Sequence, residues 1–222
     1  MDISISAIPY QILKKTYPEF CFSILEYFSS FPLGKLKSII FLYDKDQIEE
    51  IKAFNNFFSI DINVQIGVTP EQMHELLSLS PPMATLSNPQ RKDNCLDLLL
   101  FKEQIQEILQ NFHFSKEKLT VRIEADPEQV KAASKLGFAK VELDFTYPFS
   151  NEKEFYKFDE AIKVAQKFSI KTAFGKGLKS SDLFEILKKS KPDELIIDIP
   201  FYQISLKKGI DFAIDYFERL KK

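Results

Sequence analysis

The stretch from Leu119 to Phe145 constrains the fold more than any other part of the chain. It begins with alternating apolar residues, continues with Asp-Pro-Glu at 126–128, and then places apolar residues at helical spacing up to Gly137. Aspartate is a favoured helix N-cap, proline suits the first helical position, and glycine commonly ends a helix. A second alternating run follows at 140–145. Strand, helix and strand in so short a stretch predict a parallel, right-handed βαβ unit.

The rest of the chain repeats this pattern. The predicted strands cover 3–8, 36–43, 60–68, 83–86, 119–123, 140–145, 170–174 and 194–199, and the predicted helices cover 20–31, 44–58, 70–79, 96–112, 127–136, 151–168, 181–189 and 204–220. No linker or change in composition divides them, so residues 1–222 are predicted to form one α/β domain, a (β/α)8 TIM barrel. An open doubly wound sheet is the alternative. It usually carries glycines after the first strand, where this chain has Ala7, Ile8 and Pro9.

Composition narrows the expected partners and location. Thirty basic and thirty-two acidic residues leave a net charge of -2 without a basic stripe, which argues against nucleic acid. No basic-then-apolar leader and no apolar run of about twenty residues is present, so we expect neither a signal peptide nor a membrane span. Two cysteines, Cys21 and Cys95, without metal-type spacing indicate free thiols. These features predict a cytoplasmic protein.

Polar residues end several of the predicted strands, where the active sites of such barrels lie. The candidates are Arg122 or Glu124 on strand five, Glu142 and Asp144 on strand six, Lys176 after strand seven and Asp198 on strand eight. Glu142 and Asp144 have the same parity, so they face the same way and can divide an acid and a base role. The alternative is a structural ion network with Arg122 and Lys176. Lys176 is also a candidate Schiff-base nucleophile.

The segment 175–182, Gly-Lys-Gly-Leu-Lys-Ser-Ser-Asp, is a predicted phosphate-binding loop. Its glycines permit close backbone approach, its lysines add positive charge, and a helix N-terminus follows the seventh strand. The alternative is a turn that uses glycine because its φ is positive. The polar loop 87–94 is a candidate mobile cover for the site.

Other kinds of catalytic site find little support in the sequence. His74 lies within a predicted helix and His113 in a turn at the opposite end of the barrel, so neither is expected to act in acid–base catalysis. No cluster of His, Cys and carboxylates has metal-ligand spacing, and no Ser, His and Asp set is placed for acyl transfer. We therefore expect no metal site.

Several motifs resemble those of the pyridoxine 5′-phosphate synthase family. Residues 123–129 resemble I-D-x-D-P-E-Q, 141–143 the start of I-E-L-H-T-G, 175–178 G-H-G-L, and 194–197 the start of E-L-N-I-G-H. A weaker resemblance extends to V-N-I-D-H-V at 3–8, Y-P-D at 17–19 and H-L-R at 41–43. The resemblance implies a barrel that condenses 1-deoxy-D-xylulose 5-phosphate with 3-amino-2-oxopropyl phosphate. It also implies no metal or organic cofactor, and a homo-oligomer that is either a dimer or an octamer built from dimers.

The chain departs from this family at the positions that carry protons. Ser4, Ser6, Ala7, Phe41, Tyr43, Gln65 or Ile66, Asp144, Lys176, and Asp198 with Ile199 stand at or near the family's catalytic Asn, Asp, His, Arg and Glu positions. Glu142 and Gly177 match the motifs. Loss of a single proton carrier typically costs about 10²- to 10⁴-fold in rate. We therefore expect the condensation to be lost.

Three functions remain open at this point. The favoured one is a divergent barrel of vitamin B6 biosynthesis that binds a phosphorylated small molecule through Gly175, Lys176, Gly177 and Asp198, with Ser4, Ser6, Tyr43, Arg122 and Glu124 also at the mouth. The second is an active enzyme, either the family synthase or another sugar-phosphate or carbonyl reaction that uses Glu142, Asp144 and Lys176. The third is a non-catalytic oligomer or interaction partner.

Overall fold

Eight parallel strands close into a barrel in chain order in the computed structural model of the protein, which describes residues 1–111, 115–145, 152–179 and 183–221. They are β1 Asp2–Ser6, β2 Ser38–Leu42, β3 Asp61–Ile66, β4 Met83–Leu86, β5 Leu119–Ile123, β6 Lys140–Leu143, β7 Lys171–Phe174 and β8 Glu194–Ile197. Strand β8 closes the barrel by pairing with β1, from Asp2 opposite Glu194 to Ile5 opposite Ile197. The predicted (β/α)8 barrel is confirmed.

Ten helices connect or follow the strands within the described residues. They are α1 Ile8–Thr16, α2 Ile24–Ser29, α3 Ile48–Phe57, α4 Pro70–Leu79, α5 Lys102–Asn111, α6 Pro127–Leu136, α7 Glu152–Lys167, α8 Leu183–Lys189, α9 Ile199–Lys208 and α10 Ile210–Glu218. None of the helices in the part of the chain that is described has the length and apolar character needed to cross a bilayer.

The βαβ unit from β5 to β6 has the local structure that its sequence predicts. The Asp126 carboxylate accepts a hydrogen bond of 2.8 Å from the backbone N–H of Glu128, and Pro127 begins α6. Gly137 ends the helix with a φ of 83°, in the left-handed region that a side chain disfavours. This cap, proline and glycine fix both ends of α6 between two parallel strands.

One strand prediction and one helix prediction were wrong. Residues 3–8 were predicted as a strand, but β1 ends at Ser6 and α1 begins at Ile8, with Pro9 in its first turn. Residues 204–220 were predicted as one helix, but Gly209 adopts a φ of 90° and separates α9 from α10. Helix α9 begins at Ile199 directly after β8, so Asp198 lies at a helix N-terminus rather than within a strand. Both corrections change the C-terminal end of the barrel.

Other predicted helices are shorter in the structure. The predicted helix over 20–31 is reduced to α2, which begins after a capping box formed by Ser23 and Glu26. The one over 96–112 begins only at Lys102, and residue 112 lies outside the described residues. Residues 151, 181 and 182, at the predicted starts of two further helices, also lie outside them.

The strands separate an apolar layer from a polar lumen. Outward-facing residues such as Phe41 and Val64 pack against the helices and are fully buried. At the base of the lumen, Lys140 on β6 pairs with Glu194 on β8, and Ser4 donates a hydrogen bond to the same carboxylate at 2.5 Å. Because β6 and β8 are not neighbours, their side chains meet only inside the barrel. The base of the lumen is therefore built from hydrogen-bonded polar groups.

Candidate functional site

A cavity of about 520 Å³ opens at the C-terminal ends of the strands. One part of its lining is apolar and comes largely from α1, β2, β8 and the start of α9. Another part is polar and comes mainly from strand ends. The lining residues are Ser6, Ile8, Pro9, Ile12, Ile40, Leu42, Gln65, Pro89, Asn94, Arg122, Glu142, Lys176, Ile196, Asp198 and Ile199. Helix α1, which the sequence analysis missed, thus supplies part of the apolar wall.

A buried ion network crosses one side of this cavity. Arg122 lies opposite Glu142 in the β5–β6 register, with its Nη1 3.1 Å from Glu142 Oε1 and its Nη2 3.2 Å from Asp144 Oδ1. Burial raises the pKa of Glu142, although Arg122 opposes the shift. Burial also disfavours the Arg122 cation, but the two carboxylates outweigh it and hold its pKa above the usual value. This is the structural network expected as the alternative to an acid–base pair, without Lys176 as a member.

Gly175 makes room for this network. A Cβ at this position would lie 2.2 Å from Glu142 Oε1 and 2.9 Å from its carboxyl carbon. Such contacts are far shorter than van der Waals distance, so a side chain here would displace the carboxylate. The structure therefore gives Gly175 a role in placing Glu142.

Lys176 and Gly177 form a turn at the rim. Lys176 Nζ donates a hydrogen bond of 2.7 Å to the backbone carbonyl of Lys92. Gly177 has a φ of 92°, as expected for a turn that needs glycine. Residues 180–182 of the predicted phosphate loop lie outside the described residues.

Asp198 is a second acid with a raised pKa on the lining of the cavity. It is half-buried between β8 and α9, makes no side-chain cap to its helix, and its Oδ1 has no hydrogen-bond partner in the described chain. Burial raises its pKa to about 6, against the opposing charges of Arg122 and Lys176 and with the support of Glu142. Its carboxyl group therefore titrates near neutral pH, where a proton donor or acceptor works best.

Two hydrogen-bond donors on the same lining also lack partners. Gln65 on β3 is 1% exposed, and neither its Nε2 nor Arg122 Nε has a hydrogen-bond partner among the residues described. A buried polar group without a partner costs about 1–3 kcal/mol, so such groups call for an explanation. In the sequence, Gln65 stood out only as the replacement of a glutamate. Its strand parity was the signal that could have placed it in the lumen.

Three of the expected mouth residues lie elsewhere. Ser4 is fully buried in the middle of β1, where its hydroxyl group forms hydrogen bonds with Ser38 and with Glu194 at the base of the lumen. Tyr43 lines a neighbouring cavity of about 380 Å³, where burial and then a hydrogen bond with Glu75 raise its pKa to about 12. Glu124 is exposed and pairs with Arg91. All three were predicted to lie at the barrel mouth, but none of them lines the main cavity.

The loop after β4 is tied to the barrel. Arg91 pairs with both Asp93 and Glu124, and the backbone N–H of Leu96 donates to the Arg122 carbonyl at 2.8 Å. Together with the bond from Lys176 to Lys92, these contacts hold the segment expected to be a mobile cover at both edges. In the structure the loop therefore forms a wall beside the cavity, and its mobility stays a prediction.

Neither a described histidine nor a described cluster of possible metal ligands lies at this site. His74 is exposed on α4 and does not line the main cavity, and His113 lies outside the described residues. Within the described ranges, no group of three or more His, Cys, Asp and Glu side chains is arranged to hold a metal ion.

Comparison with known sequences identifies one family. A family model described as "Pyridoxal phosphate biosynthesis protein PdxJ" matches residues 43–222. A pyridoxine 5′-phosphate synthase of Geotalea uraniireducens is 26% identical over 179 residues, which cover 76% of this chain and 74% of that protein. A pyridoxine 5′-phosphate synthase of Prochlorococcus marinus is 24% identical over 187 residues, covering 79% and 75%.

Comparison with solved structures shows the same architecture. The 3-hexulose-6-phosphate synthase of Salmonella typhimurium has a TM-score of 0.62 at 10% identity, covering 99% of this chain and 98% of that one. A phosphoribosylanthranilate isomerase from Thermotoga maritima has a TM-score of 0.59 at 11% identity, covering 100% and 98%. At such low identity these similarities concern the fold alone.

Proposed function

The chain belongs to the PdxJ family of pyridoxal phosphate biosynthesis proteins, and on that premise we propose that it binds a phosphorylated small molecule of vitamin B6 biosynthesis without catalysing the family's condensation efficiently. The observation that carries the proposal is the cavity at the barrel mouth. Three of its lining residues, Gln65, Arg122 and Asp198, hold buried polar atoms without partners in the described chain. Ligand sites of this kind combine apolar walls with a few convergent polar groups.

Positive charge at the rim of the cavity favours the binding of a phosphate group there. Lys176 lines it, and the only hydrogen bond from its ammonium group to the described residues goes to a neutral main-chain carbonyl. The N-terminus of α9, which begins at Ile199, lies on the same rim and adds the partial positive charge of a helix end. Because the Asp198 carboxylate lies on the same rim and would repel a phosphate, we place the phosphate near Lys176 and Gly177. The rest of the ligand then lies near Asp198.

The loss of condensation is supported by the side chains around the cavity. No described residue there is a histidine, and Glu142 is paired with Arg122. Lys176 and Gln65 stand where the family resemblance implies proton-carrying residues. A reaction with repeated proton transfers would lose a large factor at each of these positions.

An open mouth favours a ligand over a role confined to the surface. Phe41 packs against Phe54, and Phe145 packs against Phe158 and Phe174, all on the helix side of the sheet. These aromatic residues therefore leave the cavity unfilled.

We also propose a cytoplasmic homo-oligomer, from the composition and the family resemblance. Sedimentation velocity on the purified chain tests it, and a monomer at micromolar concentration would contradict it.

Thermal unfolding with ligands tests the binding proposal. We expect 1-deoxy-D-xylulose 5-phosphate or pyridoxine 5′-phosphate to raise the melting temperature more than inorganic phosphate does. A hundredfold excess over the dissociation constant stabilises the folded state by about 2.7 kcal/mol. In Lys176→Ala the ligand-induced shift should fall, whereas Lys171→Ala, at the opposite end of the same strand, should retain it.

Each half of the proposal has an outcome that contradicts it. No shift with any of the three ligands would overturn binding at this cavity, and an undiminished shift in Lys176→Ala would overturn the assigned phosphate position. Formation of pyridoxine 5′-phosphate from the two family substrates at a rate typical of enzymes would overturn the loss of condensation.

A further inference from the structure

One described carboxylate on the lining of the cavity has an oxygen atom without a hydrogen-bond partner. Glu194, at the base of the lumen, has one oxygen paired with Ser4 and the other with Lys140. Asp198 Oδ1, in contrast, has no partner among the described residues, and Asp198 does not cap the helix that it precedes. Since Asp198 is partly exposed and lines the cavity, it is available to a bound molecule.

Two buried donors border the same space. Gln65 Nε2 and Arg122 Nε both lack an acceptor in the described chain, and both residues line the cavity. Arg122 is held in place by Glu142 and Asp144, so its guanidinium does not need to reorganise. Fixed donors in a buried site are suited to stabilise negative charge that develops on an oxygen.

We propose that this cavity catalyses proton transfer at the carbon next to a carbonyl group in a phosphorylated hydroxyketone, with Asp198 as the catalytic base. Asp198 removes the proton as the C–H bond breaks. That electron pair forms a carbon–carbon double bond, and the carbonyl π pair moves to oxygen, where Gln65 and Arg122 donate hydrogen bonds to the enolate. The protonated Asp198 then returns the proton to the same or the adjacent carbon. The step needs no further reactant.

The surroundings of Asp198 fit this role. The charged and titratable groups that act on it are Arg122 from β5, Glu142 from β6, Lys176 after β7 and Tyr202 on α9. With a pKa of about 6, it is mostly a carboxylate at pH 7.5 and a stronger base than an ordinary aspartate. A small buried apolar group, Ile40, Ala173 and Ile196, adds two of its members, Ile40 and Ile196, to the lining of the cavity. The inference rests on the ligand site proposed above but assigns it an activity.

Deuterium exchange measured by NMR tests the inference. Purified protein is incubated in D2O with dihydroxyacetone phosphate or 1-deoxy-D-xylulose 5-phosphate, and loss of the proton next to the carbonyl is followed. We expect exchange above the buffer rate, rising between pH 5 and 7 and level above that. Asp198→Asn should lower the rate by about 10²- to 10⁴-fold, and Asp198→Glu should restore part of it. Gln65→Leu should lower it by about 10²-fold.

The control is Asp2→Asn, which removes an exposed carboxylate at the base of the barrel and should leave the rate unchanged. Exchange that is equal in wild type and Asp198→Asn, or absent with both probes, would overturn the inference. Ligand-induced thermal shifts measured on the same samples separate the two proposals. A shift without exchange would leave the proposed binding function intact and refute the activity, whereas the absence of both would refute both.

Discussion

Replacing Asp198 with asparagine should make the protein more stable, and increasingly so as the pH rises. Burial moves the pKa of this carboxyl from 3.8 to about 6 in the folded state. The folded protein therefore holds the proton more tightly than the unfolded chain does, and its stability falls as the pH rises through the window between these two values. Asparagine has nearly the same shape and cannot ionise, so Asp198→Asn removes this loss.

The size of the effect follows from the pKa difference. With 1.36 kcal/mol per unit, a carboxyl ionised in both states costs the folded protein about 3 kcal/mol at pH 8. At pH 5 the folded-state carboxyl is mostly protonated, and the same linkage gives about 2 kcal/mol. The stability advantage of Asp198→Asn should therefore widen by roughly 1 kcal/mol between pH 5 and pH 8. Urea unfolding of both proteins at the two pH values measures it.

The comparison of two pH values removes any constant difference between asparagine and a protonated aspartate. Asp44→Asn is a control whose effect should not change with pH in this range. Burial favours the protonated form of Asp44, but the hydrogen bonds from Lys15 and from the Asp46 backbone N–H outweigh it and lower its pKa below 3.8. Because Asp44 is then ionised in both the folded and the unfolded state above pH 5, the stability difference between that variant and wild type should be the same at pH 5 and pH 8. An advantage of Asp198→Asn that stays constant or narrows toward pH 8 would refute the assigned environment of Asp198.

Two further substitutions probe the lumen. Gly175→Ala should destabilise the protein by about 1–3 kcal/mol in urea unfolding, because its Cβ would press on Glu142. Gly34→Ala, with nothing within 4 Å, should change stability by less than about 0.5 kcal/mol, and equal effects would contradict the reasoning. Glu194→Gln should cost about 3 kcal/mol, because it leaves the Lys140 ammonium in the barrel base without its counter-charge. A loss of melting temperature under about 3 °C would contradict that role.

The fold was largely predictable because its local signals agree with its topology. Asp126, Pro127 and Gly137 mark the ends of α6 in the sequence, and they act in the structure as expected. The errors arose where a helix signal was overlooked. The first predicted strand was extended to Ile8, although Pro9 lies in the first turn of α1, and Gly209 was passed over inside a helical apolar pattern that its positive φ interrupts.

The site was less predictable because strand parity fixes a direction but not a partner. Parity placed Glu142 and Asp144 in the lumen correctly, but it could not show that Arg122 forms ion pairs with both carboxylates. It also could not show that Glu124 turns outward to Arg91. Pairings of this kind depend on register and loop path across the barrel, and these are properties of the closed sheet rather than of any one strand.

The two ends of the lumen show how polar groups in one barrel divide between structure and function. At the base, Glu194 has both of its oxygens paired, so its burial is compensated within the described chain. At the mouth, ionised Asp198 costs about 3 kcal/mol, a large part of the roughly 5–15 kcal/mol by which a domain is stable. No contact in the described chain offsets that cost at Oδ1. A substitution that stabilises the fold and abolishes proton exchange would show that this cost is retained for chemistry.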